Sequence, residues 1–183
     1  MQVTTAIGKG GTNGVLTAAQ MTQLYQKLGS TNLELCFNAK IHGFSSSTMH
    51  SRCDGRGKTL TLMRRNSNGK VFGGYVHVNL NHASRWVHGN WGAQNPWLFT
   101  VASGKVKFLP KKNQYHYAYY MNNNYGMTWG GGHDLYCSSG FTACHANPNT
   151  YVQSMNELSG TRDWNHKDEA GSQGMVYEIY LIK

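Results

Sequence analysis

Residues 42–75 read HGFSSSTMHSRCDGRGKTLTLMRRNSNGKVFGGY, and two periodicities meet inside this stretch. Its first part opens on Ser45, a residue type whose hydroxyl satisfies the free N–H groups of a first helical turn, with Phe44 and Met49 at the positions of a hydrophobic staple around that cap. Cys53 extends the same face one turn later, so a short helix starting at Ser45 is expected. From Thr59 the apolar period becomes two. Asn68-Gly69, a pair that reaches positive φ easily, then separates the strand patterns of residues 60–65 and 70–78. A β-hairpin therefore follows the helix.

Outward from this stretch the local signals stay consistent. Upstream, residues 16–28 carry a capping box of Thr17 with Gln20, a staple of Leu16 with Met21, and a terminating Gly29. Met21, Leu24, Tyr25 and Leu28 recur at helical spacing, which makes them a buried face and not a ligand site. Downstream, alternation broken by Gly- and Asn-rich loops predicts strands at 97–101, 105–109, 114–121, 134–137 and 175–183. The expected fold class is mainly β, a two-layer antiparallel β-sandwich with a few short helices. Residues 1–14 read as a flexible N-terminal arm and residues 15–183 as a single domain, a size near that usual for one core.

Charged residues make up only 14% of the chain, against roughly 25% in an average soluble domain, while Gly, Asn, Tyr and Trp are plentiful. Polarity therefore comes from neutral hydrogen-bonding groups, which suit neutral ligands. No run of eighteen apolar residues is present, so no membrane-spanning helix is expected. The start, MQVTTAIGKGGTNG, lacks the basic and apolar segments of a signal peptide; either none was made or one was removed.

The four cysteines are open to two readings. Cys137 and Cys144 bracket SSGFTA between expected strands, a spacing that permits a hairpin-closing disulfide, and a Cys36–Cys53 bond would tie the helix to the preceding strand. The alternative is burial as free thiols. A zinc set of His133, Cys137, Cys144 and His145 matches no standard finger spacing.

Gly43-Phe44-Ser45, His50 with Cys53-Asp54 and Gly57-Lys58-Thr59-Leu60, and Gly69-Lys70-Val71-Phe72-Gly73-Gly74-Tyr75 together resemble the pattern of the TLDc domain family. Trp97-Leu98-Phe99-Thr100-Val101, Gly130-Gly131-Gly132-His133-Asp134-Leu135 and Tyr177-Glu178-Ile179-Tyr180-Leu181-Ile182 follow in the family's order, so the resemblance spans nearly the whole chain. It implies a TLDc-like fold and brings no catalytic residues with it. Intracellular members are associated with oxidative-stress protection and with regulation of the proton-pumping V-ATPase, usually as the C-terminal domain of a longer chain. The sparse charge, the cysteine pairs and the surplus of Trp, Tyr and Asn look more like a secreted, stand-alone member used for recognition.

Three function classes follow. Enzyme activity is the weakest, because acid–base chemistry needs paired groups and the chain holds only eight carboxylates. Gly43-Phe44-Ser45 lacks the second glycine of a nucleophile elbow, the N-terminal glycines lack the closing Gly-Lys-Ser/Thr of a phosphate loop, and His133-Asp134 beside three glycines reads as tight backbone packing. The net charge of +9 predicts salt-sensitive polyanion binding. Its basic residues are scattered from Arg52 to Lys112 without a recognition helix, so sequence-specific nucleic-acid reading is not expected.

The favoured class is carbohydrate binding, which needs an aromatic platform beside fixed amides and hydroxyls. Residues 80–97 and 119–134 supply both. Trp91, Asn90, Trp129, His133, Asn123 and Tyr125 are the candidate sugar contacts, with Trp86, Asn122 and Asn124 beside them; the competing role for Trp129 and Trp97 is core filling. Asp163, Asn165, Asp168 and Glu169 are candidate calcium ligands for the same site, though their loop is not an EF-hand and its charges also suit surface ion pairs with Arg162 and Lys167. The expectation is thus an extracellular, non-enzymatic lectin with a calcium-assisted site. The alternative is a cytoplasmic TLDc module that binds a protein partner, and self-association into a homo-oligomer is left open.

Overall fold

The capping box at Thr17 forms in both directions: Thr17 Oγ1 accepts the Gln20 N–H at 3.3 Å and Gln20 Oε1 accepts the Thr17 N–H at 2.9 Å. It starts α1 (Ala18–Leu28), and Gly29 ends it in the left-handed region at φ 69°. In this computed structural model residues 14–81, 84–87, 95–112, 117–151, 154–165 and 175–183 are described. The expected arm lies outside them except for Gly14.

After α1 come β1 (Leu33–Asn38), a single turn α2 (Ala39–His42) and α3 (Ser46–Cys53). Ser45 caps α3 by accepting the Thr48 N–H, as expected from its position. The α2 turn has no counterpart in the sequence reading, because four residues are too short to show a helical period. The expected hairpin is present as β2 (Thr59–Arg64) and β3 (Val71–Val76), but its loop is wider than a two-residue Asn-Gly turn. The Gly69 N–H donates to the Arg65 carbonyl, and Gly69 has a φ of 68° whereas Asn68 does not enter that region. Asn68 instead accepts the Lys70 N–H and donates to the Ser159 carbonyl.

The remaining elements are β4 (Arg85–Val87), β5 (Trp97–Ala102), β6 (Lys105–Pro110), β7 (Tyr119–Met121), β8 (Thr128–Trp129), β9 (Tyr136–Cys137), β10 (Cys144–His145), α4 (Met155–Leu158), β11 (Asp163–Trp164) and β12 (Val176–Ile182). Six of the strands form an antiparallel sheet in the order β1-β12-β2-β3-β5-β6. Alternation along them sends Leu60, Leu62, Val71, Tyr75, Phe99 and Tyr180 to the face covered by Met21 and Leu24 of α1. Met63, Phe72, Leu98, Tyr177, Ile179 and Leu181 point the other way, into the larger core. That core is closed by two three-stranded sheets, β4-β7-β8 and β9-β10-β11, joined by single bridges at Trp129–Leu135 and Tyr125–Ser138. The result is the mainly β, sandwich-like architecture with short helices that the sequence predicts.

Two disulfides brace neighbouring elements. Cys36–Cys53 links β1 to the end of α3, and Cys137–Cys144 links β9 to β10 across directly paired positions. Both bonds agree with the disulfide reading, and they remove the cysteines from any zinc set. Trp129 sits at the centre of the core, fully buried. Its indole N–H donates to the Tyr75 carbonyl, and a Cβ on Gly74 would lie 2.6 Å from its ring. Trp129 is therefore corrected from sugar contact to core residue: neither of its faces is open to a ligand.

Candidate functional site

The register of the two small sheets puts a row of rings on their outer surface. In β4 and β7, Val87, Tyr119 and Met121 point into the core, so Trp86 and Tyr120, which are directly paired, point out with ring centroids 4.7 Å apart. In β9 and β10, the Cys137–Cys144 bond occupies the inner face, so the paired Tyr136 and His145 point out, also 4.7 Å apart. His133, on the turn between β8 and β9, closes the gap: its ring lies 6.2 Å from Trp86, 5.0 Å from Tyr136 and 5.9 Å from His145. Tyr125 packs edge-on against Tyr136 at 4.9 Å, and Tyr117 flanks Trp86 at the same distance. These rings make one continuous belt, and all are half-buried except Tyr117, which is exposed.

The turn under His133 is rigid for a stated reason. Asp134 is fully buried, and its carboxylate accepts backbone N–H groups from Asn149, Thr150 and Tyr151 at 2.8–3.0 Å. A Cβ on Gly130 would fall 1.8 Å from that carboxylate, so only glycine admits it. The His133 carbonyl accepts the Asn147 N–H, and His133 itself sits at φ 59°. Asp134 thus anchors backbone, which agrees with the packing role read from the glycine run.

Burial holds both belt imidazoles below their ordinary range. For His133 the nearby Asp134 opposes this in part; for His145, His133 and Arg162 add to it while Asp163 opposes. Burial likewise pushes the Tyr136 phenol up. At neutral pH the belt is uncharged, with apolar ring bodies and polar tips that donate and accept.

Of the expected contacts, Tyr125 and His133 lie in the belt, and Asn123 is exposed on the loop that carries Tyr125. Asn122 beside it donates to the Tyr120 hydroxyl and to Ser84. Asn90 and Trp91 lie outside the described residues, as do Asp168 and Glu169. Asp163 is exposed, faces His145 across the ladder and lies 3.9 Å from Arg162, with Asn165 two residues on. Among the described residues no group of three or more His, Cys, Asp or Glu side chains is placed to hold a metal ion.

Tyr117, Tyr120 and Tyr136 are belt residues that sequence reasoning missed, and His145 entered it only as a zinc ligand. Tyr117 precedes β7, and the strands of the other three are two or three residues long, too short for alternation to reveal a face. Arg65, counted with the scattered bases, is buried: it donates to the Ser159 carbonyl and its guanidinium lies over the Trp164 ring at 5.3 Å.

The fold and site together define a small disulfide-tied antiparallel sandwich domain with an outward aromatic belt. The chain is a member of the TLDc domain family, whose family model matches residues 10–169. Domains of this family are in general non-catalytic regulatory and interaction modules. No curated protein matches the chain. Among the described residues no helix is long and apolar enough to cross a membrane.

Proposed function

We propose that this domain is a carbohydrate-recognition module and that the aromatic belt is its binding face. The belt itself carries the reading: amphipathic rings from two sheets form one uncharged, half-exposed surface bordered by the amides of Asn122, Asn123 and Asn147. A sugar presents apolar C–H faces ringed by hydroxyls and fits such a surface. Asn90 and Trp91, which follow β4 in sequence, extend the same proposal. Asp163 and Asn165 at the far end of the belt, with Asp168 and Glu169, are the proposed place for a calcium ion. The two disulfides support action in an oxidising compartment.

The test is a glycan array followed by calorimetry on the hits. Trp86→Ala and Tyr120→Ala are expected to weaken binding by about 1–3 kcal/mol with the melting temperature little changed. Trp91→Ala is expected to weaken binding as well, and chelator to release the sugar if calcium takes part. An array without hits at high protein concentration sinks the carbohydrate reading. Family membership then favours a protein partner on the same face, detectable as loss of that partner in the Trp86→Ala and Tyr120→Ala variants.

A further inference from the structure

His50 lies behind the belt, on α3, and is almost fully buried. Its Nδ1 is 2.9 and 3.0 Å from the two carboxylate oxygens of Asp54, the residue that caps the C-terminal end of the same helix. Its Nε2 is 3.0 Å from the Asn122 carbonyl and 3.1 Å from the Tyr125 carbonyl. Every one of these partners is an acceptor, and a neutral imidazole has only one N–H to give. Only the imidazolium donates on both sides. The carbonyls it holds belong to the loop of residues 122–125, which brings Asn123 to the surface and Tyr125 into the belt against Tyr136 and His133.

We infer that His50, in its doubly protonated form, is the positioning residue of the belt, clamping the loop of residues 122–125 to α3, and that loss of its proton releases this loop. The inference rests on the reading of the belt as the binding face, but the clamp is defined without any ligand. Burial alone lowers the proton affinity of His50; the hydrogen bond and charge of Asp54 and the carbonyls of Tyr125 and Asn122 outweigh it, so the group titrates above its ordinary 6.5. Asp54 faces this cluster and, from β7, so does the buried Tyr119 phenol, which burial pushes well up, with the Tyr177 phenol and the Asp54 charge adding to it. Tyr119 stays neutral across the relevant range. A second contact that does not titrate runs in parallel: Ser46 Oγ donates to the Asn123 carbonyl at 3.0 Å.

The experiment follows the His50 ring signals by NMR from pH 5 to 10 and, over the same range, amide exchange at Tyr125 and Gly126, corrected for the intrinsic pH dependence. Their N–H groups bond to the Asn122 and Cys137 carbonyls. The expected result is a His50 midpoint above 6.5, with protection at both amides falling at least tenfold through that midpoint. Asp54→Asn keeps an accepting oxygen but removes the charge, so it is expected to move both transitions down together by about 1–3 pH units. Ser46→Ala is expected to lower protection at all pH values without moving the midpoint. A midpoint below 6.5, a midpoint unmoved by Asp54→Asn, or protection that ignores the His50 titration would each overturn the inference. Sugar binding, if present, should weaken through the same transition. A loop that opens as described in a protein that binds no sugar upholds the clamp and removes only the carbohydrate reading.

Discussion

Asp134 and Gly74 show how single positions hold the packing under the aromatic belt in place. Asp134 gives both carboxylate oxygens to backbone donors, so Asp134→Asn turns one acceptor into a donor aimed at those N–H groups. The expected loss is about 1.5–3 kcal/mol in chemical denaturation, the scale of hydrogen bonds to a charged group. Gly74→Ala would press a methyl into the Trp129 indole and into Leu98, and overpacking of this kind costs about 1–3 kcal/mol. An unchanged denaturation midpoint in either variant would refute the corresponding contact. Only part of this could be read in the chain: the His133-Asp134 run and its glycines pointed to close packing, and the strand patterns beside Trp129 and Trp97 offered core filling for both, but that reading stood beside a sugar-contact role for Trp129. Their facing depends on which residues they pair with, and pairing is a property of distant segments.

At the scale of elements, β9 and β10 are two residues each, too short to persist as a pair without outside help. The Cys137–Cys144 bond supplies that help on the inner face and so keeps Tyr136 and His145 adjacent on the outer one. Replacing both cysteines by Ala is expected to lower stability by about 2–3 kcal/mol and to weaken the near-ultraviolet dichroism of the aromatic belt. Retention of both signals would show that the pairing stands on its own. In the hairpin, Gly69→Val forces a branched side chain into positive φ, at a cost on the order of 1–3 kcal/mol without a selective effect on binding. The elements legible in the sequence were those with caps or several repeats of their period, namely α1, α3, the β2–β3 hairpin, β5, β6 and β12. The belt is built from β4, β7, β9 and β10; strands were expected over β7 and β9 but their short period gave no facing, so the sequence located the right region and, of its rings, named Trp86, Tyr125 and His133.

For the whole molecule, histidines act on stability from both sides of neutrality. Burial holds His42, His77, His133 and His145 below 6.5, with Arg52 adding to this at His42 and Lys58 at His77; Arg162 adds to it at His145. The unfolded chain therefore binds more protons than the folded one as pH falls through 6.5 towards the folded values, and the stability these groups contribute is lost across that window. His50 has the opposite sign: its contribution is complete below 6.5 and is lost as pH rises through its raised folded value. Melting temperature should thus peak near neutral pH, and a profile that rises or falls steadily from pH 5 to 9 would contradict one of the two groups. The sheet order has a consequence of another kind. β12 lies between β1 and β2, and among the described strands no other brings these two together. A nascent chain therefore holds β1 and the β2–β3 hairpin as separate pieces until β12 emerges. The principal sheet is completed only when β12 joins it, and the exposed faces of both pieces are the surfaces a chaperone would have to shield meanwhile.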